Sequence, residues 1–337
     1  MRGICALSVV MFHCGGLFVH DEIFCHGFLA VDVFFILSGF VIAHTYEGRL
    51  EAGLGAREFA RVRLRRLAPV YWTGTLLGIG MLVAVTTAHP GQYFTTPQVV
   101  ALSLMAMLLI PWVTQGISAY PANAVAWSLL GELIVNLLYA RWFYRWRSST
   151  LLALVAVCWG ASTVYGYLGQ YGWCYGARPH DVWLTPLRAI PGFLAGVLLY
   201  RAHLKGWLAR LPSIPPLAVL VLWAVIAQVP TPGPTPTFDF LVVVIASPLM
   251  IAVLIRAPED SPKPFLWLGS ISYALYASHL SIIGLAGNTG LFGLDREPSM
   301  WKASLVVLCT VALAAAIHVL VEQRQSWRLL LPRSASA

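Results

Sequence analysis

Charge is what this sequence has least of. Asp, Glu, Lys and Arg make up 11% of its 337 residues and hydrophobic residues 58%, whereas soluble domains carry about 25% charge. That excludes an ordinary soluble domain, so the chain reads as an all-α, polytopic integral membrane protein whose length counts helices, not domains. The formal charge of +8 does not point to nucleic acid, because basic residues interrupt apolar runs in small clusters and form no stripe interleaved with aromatics. The six cysteines show no CxxC or metal-ligand spacing. Cys5, Cys14, Cys158 and Cys309 lie in apolar segments suited to packing, and only Cys25 and Cys174 fall in loops. An HExxH pattern is missing too, which leaves a metal reading unsupported. No small-residue cleavage site follows the first apolar stretch, so it reads as a retained helix and not as a signal peptide.

What is present is a series of apolar runs. They fall near 3–20, 27–46, 67–88, 126–144, 150–170, 187–203, 214–229, 238–255, 265–286 and 302–322, each approaching the ~20 residues that span a bilayer. An eleventh run, 99–112, is ambiguous, and the excess of Lys and Arg on cytoplasmic loops decides it. If it does not cross, eighteen of the 22 basic residues share one side, leaving Arg178, Arg188, Arg296 and Lys302 opposite. If it crosses, the Arg57 to Arg66 and Arg141 to Arg147 clusters are opposed. The expectation is therefore ten crossings, a re-entrant or interfacial segment at 99–112, and both termini in the cytoplasm. Pro69 is expected to end the Arg-rich segment, with Tyr71 and Trp72 at the interface.

Ionisable groups inside a bilayer cost at least about 2.5 kcal/mol, so each is a site hypothesis. Arg2 and His13 are eleven steps apart, about three helical turns, and share one face roughly 16 Å apart. That puts a cation at one surface and an imidazole deep in the hydrocarbon. A lone buried histidine is most often bonded to a backbone carbonyl, but Asp32 on the returning helix lies 7 to 8 Å, by helical rise, below Gly27 and can meet it. A carboxylate on one ring nitrogen would fix the tautomer and strengthen the other as a base. Arg63 and Arg66, three apart, make one face of forked donors suited to phosphate or pyrophosphate, although juxtamembrane arginines equally serve topology alone. Ser38 lies about 9 Å, by helical rise, beyond Asp32, where Ser38-Gly39 is also a small-residue helix contact. Glu132 is either a helix–helix hydrogen-bond partner or an acceptor-positioning group; His279 is similar, and His318 and Glu322 lie four apart on one face.

Several stretches together resemble the membrane-bound acyltransferase-3 family. They are Arg2 with His13; Gly27-Phe28-Leu29-Ala30-Val31-Asp32-Val33-Phe34-Phe35-Ile36-Leu37-Ser38-Gly39-Phe40; Arg63-Leu64-Arg65-Arg66-Leu67-Ala68-Pro69; Trp127-Ser128-Leu129-Leu130-Gly131-Glu132; Arg188-Ala189-Ile190-Pro191-Gly192-Phe193-Leu194-Ala195-Gly196; and Leu268-Gly269-Ser270-Ile271-Ser272-Tyr273-Ala274-Leu275-Tyr276-Ala277-Ser278-His279. The resemblance implies transfer of an acyl group, usually acetyl from acetyl-CoA on the cytoplasmic side, to a hydroxyl of a saccharide, glycolipid or polyketide. No tightly bound cofactor is expected, with acyl-CoA as the donor substrate. His13 and Asp32 are the expected catalytic pair, and Arg2, Arg63, Arg66, Glu132 and Ser38 the expected substrate-binding residues.

The rival from another class is a transporter or flippase for a glycan or lipid, since charged groups near the midplane of a bundle also mark substrate paths. No inverted repeat relates the two halves, and the ionisable groups concentrate in the first, second and fourth runs, which favours the enzyme. Family members usually begin several residues earlier, with an acidic residue before the arginine, whereas here Arg2 follows Met1 directly. Some also carry an esterase-like domain after the last helix. The expected organisation here is one membrane acyltransferase domain over 1–325 in the inner (plasma) membrane, then a short cytoplasmic tail over 326–337.

Overall fold

The computed structural model describes residues 1–15, 23–114, 116, 118–169, 172–231, 235–257, 262–288 and 299–323; the expected tail at 326–337 lies outside the described residues. Among these the chain is all helix and connection, with no strand. Helix α1 is Arg2–His13, α2 Ala30–Glu51, α3 Ala56–Ala88, α4 Thr96–Met107, α5 Ala126–Arg141, α6 Ser148–Gly169 and α7 Thr185–Leu204. There follow α8 Pro216–Gln228, α9 Pro236–Phe240, a π-helical turn Leu241–Ala246, α10 Ser247–Ile255, α11 Lys263–Ser270, α12 Ser272–Asn288 and α13 Met300–Ile317. Six stretches are long and apolar enough to cross a membrane: Gly27–Glu51, Ala56–Ala88, Ser148–Gly169, Val182–Leu204, Pro236–Ile255 and Met300–Gln323. The pair α11 and α12 makes a seventh if its 63° bend is counted as one span.

Helix α2 is the axis. Its apolar residues point in every direction, and Val31, Val33, Phe35, Ile36, Ile42 and Ala43 are all buried, as expected of a helix surrounded by others. Its closest neighbour is α7. A Cβ on Gly39 would run into the Phe193 carbonyl, and one on Gly196 into that of Ile36, so the two backbones touch with no side chain between them. Large apolar side chains on the outer helices face outward instead, Leu168 being 81% and Val157 69% exposed, which is the pattern of a lipid-facing belt.

Pro69 does not end its helix. Helix α3 runs through it for 33 residues, about 50 Å, so the Arg57 to Arg66 turns project beyond a hydrocarbon core of ~30 Å. Proline lacks only its own N–H, and close packing holds the helix together across it: Gly74 lies against the Ala277 backbone, and Thr73 Oγ1 donates to the Pro69 carbonyl at 2.8 Å.

The ambiguous run becomes the 12-residue α4, about 18 Å long and, like α1 and α8, shorter than the ~20 residues of a full span. It returns alongside α3: Tyr71 Oη donates to the Ala106 carbonyl and Trp72 Nε1 to that of Met107 at 3.1 Å. The chain then climbs back, placing Ala122 against Gly78, one to two turns higher on α3.

Both ends of the bundle are tied by polar braces. At one, Arg201 Nε donates to Glu47 Oε1 at 2.8 Å and Tyr139 Oη to Glu47 Oε2 at 2.7 Å. Arg201 also reaches the carbonyls of Tyr144 and Trp146, and Tyr46 packs on Phe59. At the other, the carboxylate of Asp239 accepts from Trp173 N at 2.9 Å and lies 3.3 Å from His26 Nδ1. The six cysteines form no disulfide. Cys25 Sγ donates to the Val229 carbonyl, and burial pushes the Cys174 thiol up.

Candidate active site

One cleft of about 180 Å³ opens between α1, α2, α3, α5, α12 and the π-helical turn His318–Gln323 that follows α13. Arg2, Arg66 and Glu322 line it together with Ser38, Arg63, Glu132, Ser128 and Tyr276, and most of the remaining wall is apolar. All five expected substrate-binding residues, Arg2, Ser38, Arg63, Arg66 and Glu132, therefore face one space, although they come from four helices.

Glu132 organises the middle of the cleft. Its Oε1 accepts from Ser38 Oγ at 2.5 Å, Asn136 Nδ2 at 2.9 Å and Arg63 Nη2 at 3.1 Å, while no described residue donates to Oε2. Three donors on one oxygen hold the carboxylate in place. Ser38 points at this carboxylate while its neighbour Gly39 makes the helix contact, so the pair divides the two roles. Arg63 is buried and Arg66 exposed, so the two do not present one even face. Arg63 spends Nη2 on Glu132, while its Nε is buried with no hydrogen-bond partner among the described residues.

Asp32 is not on His13. Its two oxygens take Arg188, Nε on Oδ1 at 3.2 Å and Nη2 on Oδ2 at 2.5 Å. Arg188 also donates Nη1 to the Tyr175 carbonyl at 2.8 Å and lies over the rings of Trp127 and Tyr175. Asp32 is 1% and Arg188 2% exposed. The expected aspartate–histidine contact gives way for a physical reason: a buried guanidinium needs a carboxylate more than a neutral imidazole does. Arg188 stands in a recognisable sequence stretch, but its partner is 156 residues away, beyond any local pattern.

His13 meets a second histidine. Its Nδ1 is 2.9 Å from the Val9 carbonyl and 3.3 Å from His279 Nε2, with ring centroids 5.0 Å apart. His279 in turn places Nδ1 2.8 Å from the Tyr276 carbonyl. The Tyr276 ring lies 5.8 Å from that of His279 and 5.7 Å from Phe34, and its hydroxyl bonds Ser128 Oγ at 2.7 Å. Tyr276 thus stands between the cleft and the histidine pair. His318 and Glu322, four apart, bond at 2.8 Å beside the mouth.

"Protein 2 in picA locus" of Rhizobium radiobacter is 32% identical over 167 residues, covering 47% of this chain and 86% of that protein. "Exopolysaccharide production protein ExoZ" of Rhizobium meliloti (strain 1021) is 27% identical over 314 residues, covering 88% of this chain and 89% of its own length. No solved structure matches. The acyltransferase-domain family matches residues 1–319, the stretch that carries the arginine-lined cleft, Glu132 and both histidines. A match of that extent, over the segments whose residues converge, makes this chain a member of the membrane-bound acyltransferase-3 family.

Proposed function

We propose that the protein transfers an acyl group, acetyl by the resemblance, from acyl-CoA to a hydroxyl of a saccharide, glycolipid or polyketide. The observation that carries the reading is the cleft itself: arginines at its mouth, a fixed carboxylate at its middle, and Tyr276 beside the His279–His13 pair at its end. In this reading ten crossings place both termini in the cytoplasm of an inner membrane, so the mouth at Arg2 and Arg66 faces the compartment that holds acyl-CoA. Arg2, Arg63 and Arg66 then receive CoA phosphates, for which a planar forked donor is well suited. The relative that is named for exopolysaccharide production supports a polysaccharide acceptor arriving from the bilayer or the outer face.

The chemistry needs a base for the alcohol proton, and a neutral imidazole is suited to it near pH 7. His13 takes the proton from the acceptor hydroxyl as that oxygen attacks the thioester carbonyl. The C–S bond breaks, and the CoA thiolate leaves with the proton that His13 returns. Asp32 acts at a distance, by holding Arg188 and through it the loop at Tyr175. Purified protein given acetyl-CoA should release free CoA thiol only when a hydroxyl acceptor is added, and the acceptor should gain the acetyl mass. Acceptor movement across vesicles with no thiol release would instead favour a transporter.

A further inference from the structure

We infer that His279 is a positioning residue that holds His13 in the tautomer protonated at Nδ1, leaving Nε2 as the basic lone pair. A carbonyl oxygen can only accept. His279 Nδ1, 2.8 Å from the Tyr276 carbonyl, therefore carries its proton, and in the neutral ring Nε2 is an acceptor. That acceptor lies 3.3 Å from His13 Nδ1, which itself faces the Val9 carbonyl at 2.9 Å. A proton on His13 Nδ1 serves both neighbours. With the proton on Nε2 instead, three lone pairs would converge in a site where His279 is fully buried and water cannot intervene. The other nitrogen, His13 Nε2, takes no partner among the described residues and is free to accept.

Two backbone carbonyls and a second imidazole thus do what a carboxylate does in hydrolase triads. This also explains how the site works although Asp32 is committed to Arg188. The two rings come from helices 266 positions apart in sequence, so docking of α12 on α1 and orientation of the base are one event. The inference rests on His13 being the base in the proposed transfer, and the same series of variants separates the two.

Full-length protein is assayed with acetyl-CoA and acceptor. His279→Phe keeps an aromatic ring but removes the acceptor, so kcat should fall about a hundredfold, the lower range of general-base contributions, with KM for acetyl-CoA unchanged. His279→Gln places an amide oxygen where Nε2 was and should recover most of the turnover. A packing role predicts the reverse order, so an active Phe variant beside an inactive Gln variant overturns the inference. Nitrogen NMR of ring-labelled wild-type protein, with the His13 signals identified by their loss in His13→Ala, tests it without touching His279. A proton on Nδ1 supports it, and one on Nε2 overturns it. Should His13→Ala turn over like wild type, the base assignment itself falls. If that variant is inactive while both His279 variants match wild type, only the positioning role is lost.

Discussion

Arg63 and Arg66 are three residues apart on one helix, yet their surroundings differ enough to separate their effects. Arg66 lies exposed at the mouth of the cleft, whereas Arg63 is buried against Glu132. Arg66→Lys keeps the charge but loses the planar fork. Charge-assisted hydrogen bonds of that kind contribute about 1.5 to 3 kcal/mol, so KM for acyl-CoA should rise on the order of tenfold while folded yield stays the same. Arg63→Lys should cost both, because the variant also gives up the hold on Glu132. Titration of the purified variants with acetyl-CoA, beside their melting curves, reads the difference.

Asp32 tests the same scale in the opposite sense. If it oriented His13, Asp32→Asn would lower kcat in an intact protein. Paired with Arg188, it should instead lower stability, since removing one partner of a buried ion pair costs about 3 to 5 kcal/mol. Asp32→Asn should reduce folded yield and Tm, and the surviving folded fraction should keep its KM. A variant with wild-type Tm and a lost kcat would return Asp32 to the chemistry.

Among the elements, helices were legible where an apolar run had the composition of a span, and six of the ten runs, at 126–144, 150–170, 187–203, 214–229, 238–255 and 302–322, appear as one helical stretch within about three residues of their expected bounds. The ambiguous 99–112 run appears as the short helix Thr96–Met107. What local pattern could not carry was pairing across the fold. His13 with His279, Asp32 with Arg188 and Ser38 with Glu132 join residues 266, 156 and 94 positions apart, and periodicity speaks only of neighbours on one helix. The break between α11 and α12 was missed for a related reason: Leu268-Gly269-Ser270-Ile271 reads as an apolar continuation, yet the Ser272 hydroxyl caps the Gly269 carbonyl at 2.7 Å and the helices bend by 63°.

The α2–α7 seam gives a prediction at this scale. Gly39→Leu would drive a side chain into the α7 backbone at Phe193, and overpacking of a tight contact costs about 1 to 3 kcal/mol or more. Folded yield should fall sharply, and Ser38 should lose its hold on Glu132. A Cβ on Gly48 of the same helix meets no atom within 4 Å, so Gly48→Leu serves as the control whose Tm should not fall.

For the whole molecule, sidedness follows from joining the charge count to the braces. Arg201 touches Glu47 and the Trp146 carbonyl, and Tyr46 packs on Phe59. The end of α2, the start of α3, the start of α6 and the end of α7 therefore share one end of the bundle, and with them the clusters at Arg57 to Arg66 and at Arg141 to Arg147. A crossing at 99–112 would have put these clusters at opposite ends. Positive loops are retained in the cytoplasm, so this end should face inward and the turn after α3 outward. In a background with the native cysteines replaced, since Cys25 belongs to the opposite end, a cysteine at Ser149 should resist impermeant thiol reagents in intact cells and react once the membrane is opened. One at Gln92, exposed just beyond α3, should react in intact cells. Labelling of Ser149 with protection of Gln92 would invert the protein, and would leave the arginine-lined mouth facing a compartment without acyl-CoA; labelling of both would mean that α4 crosses as well as α5, against the return path of α4 along α3.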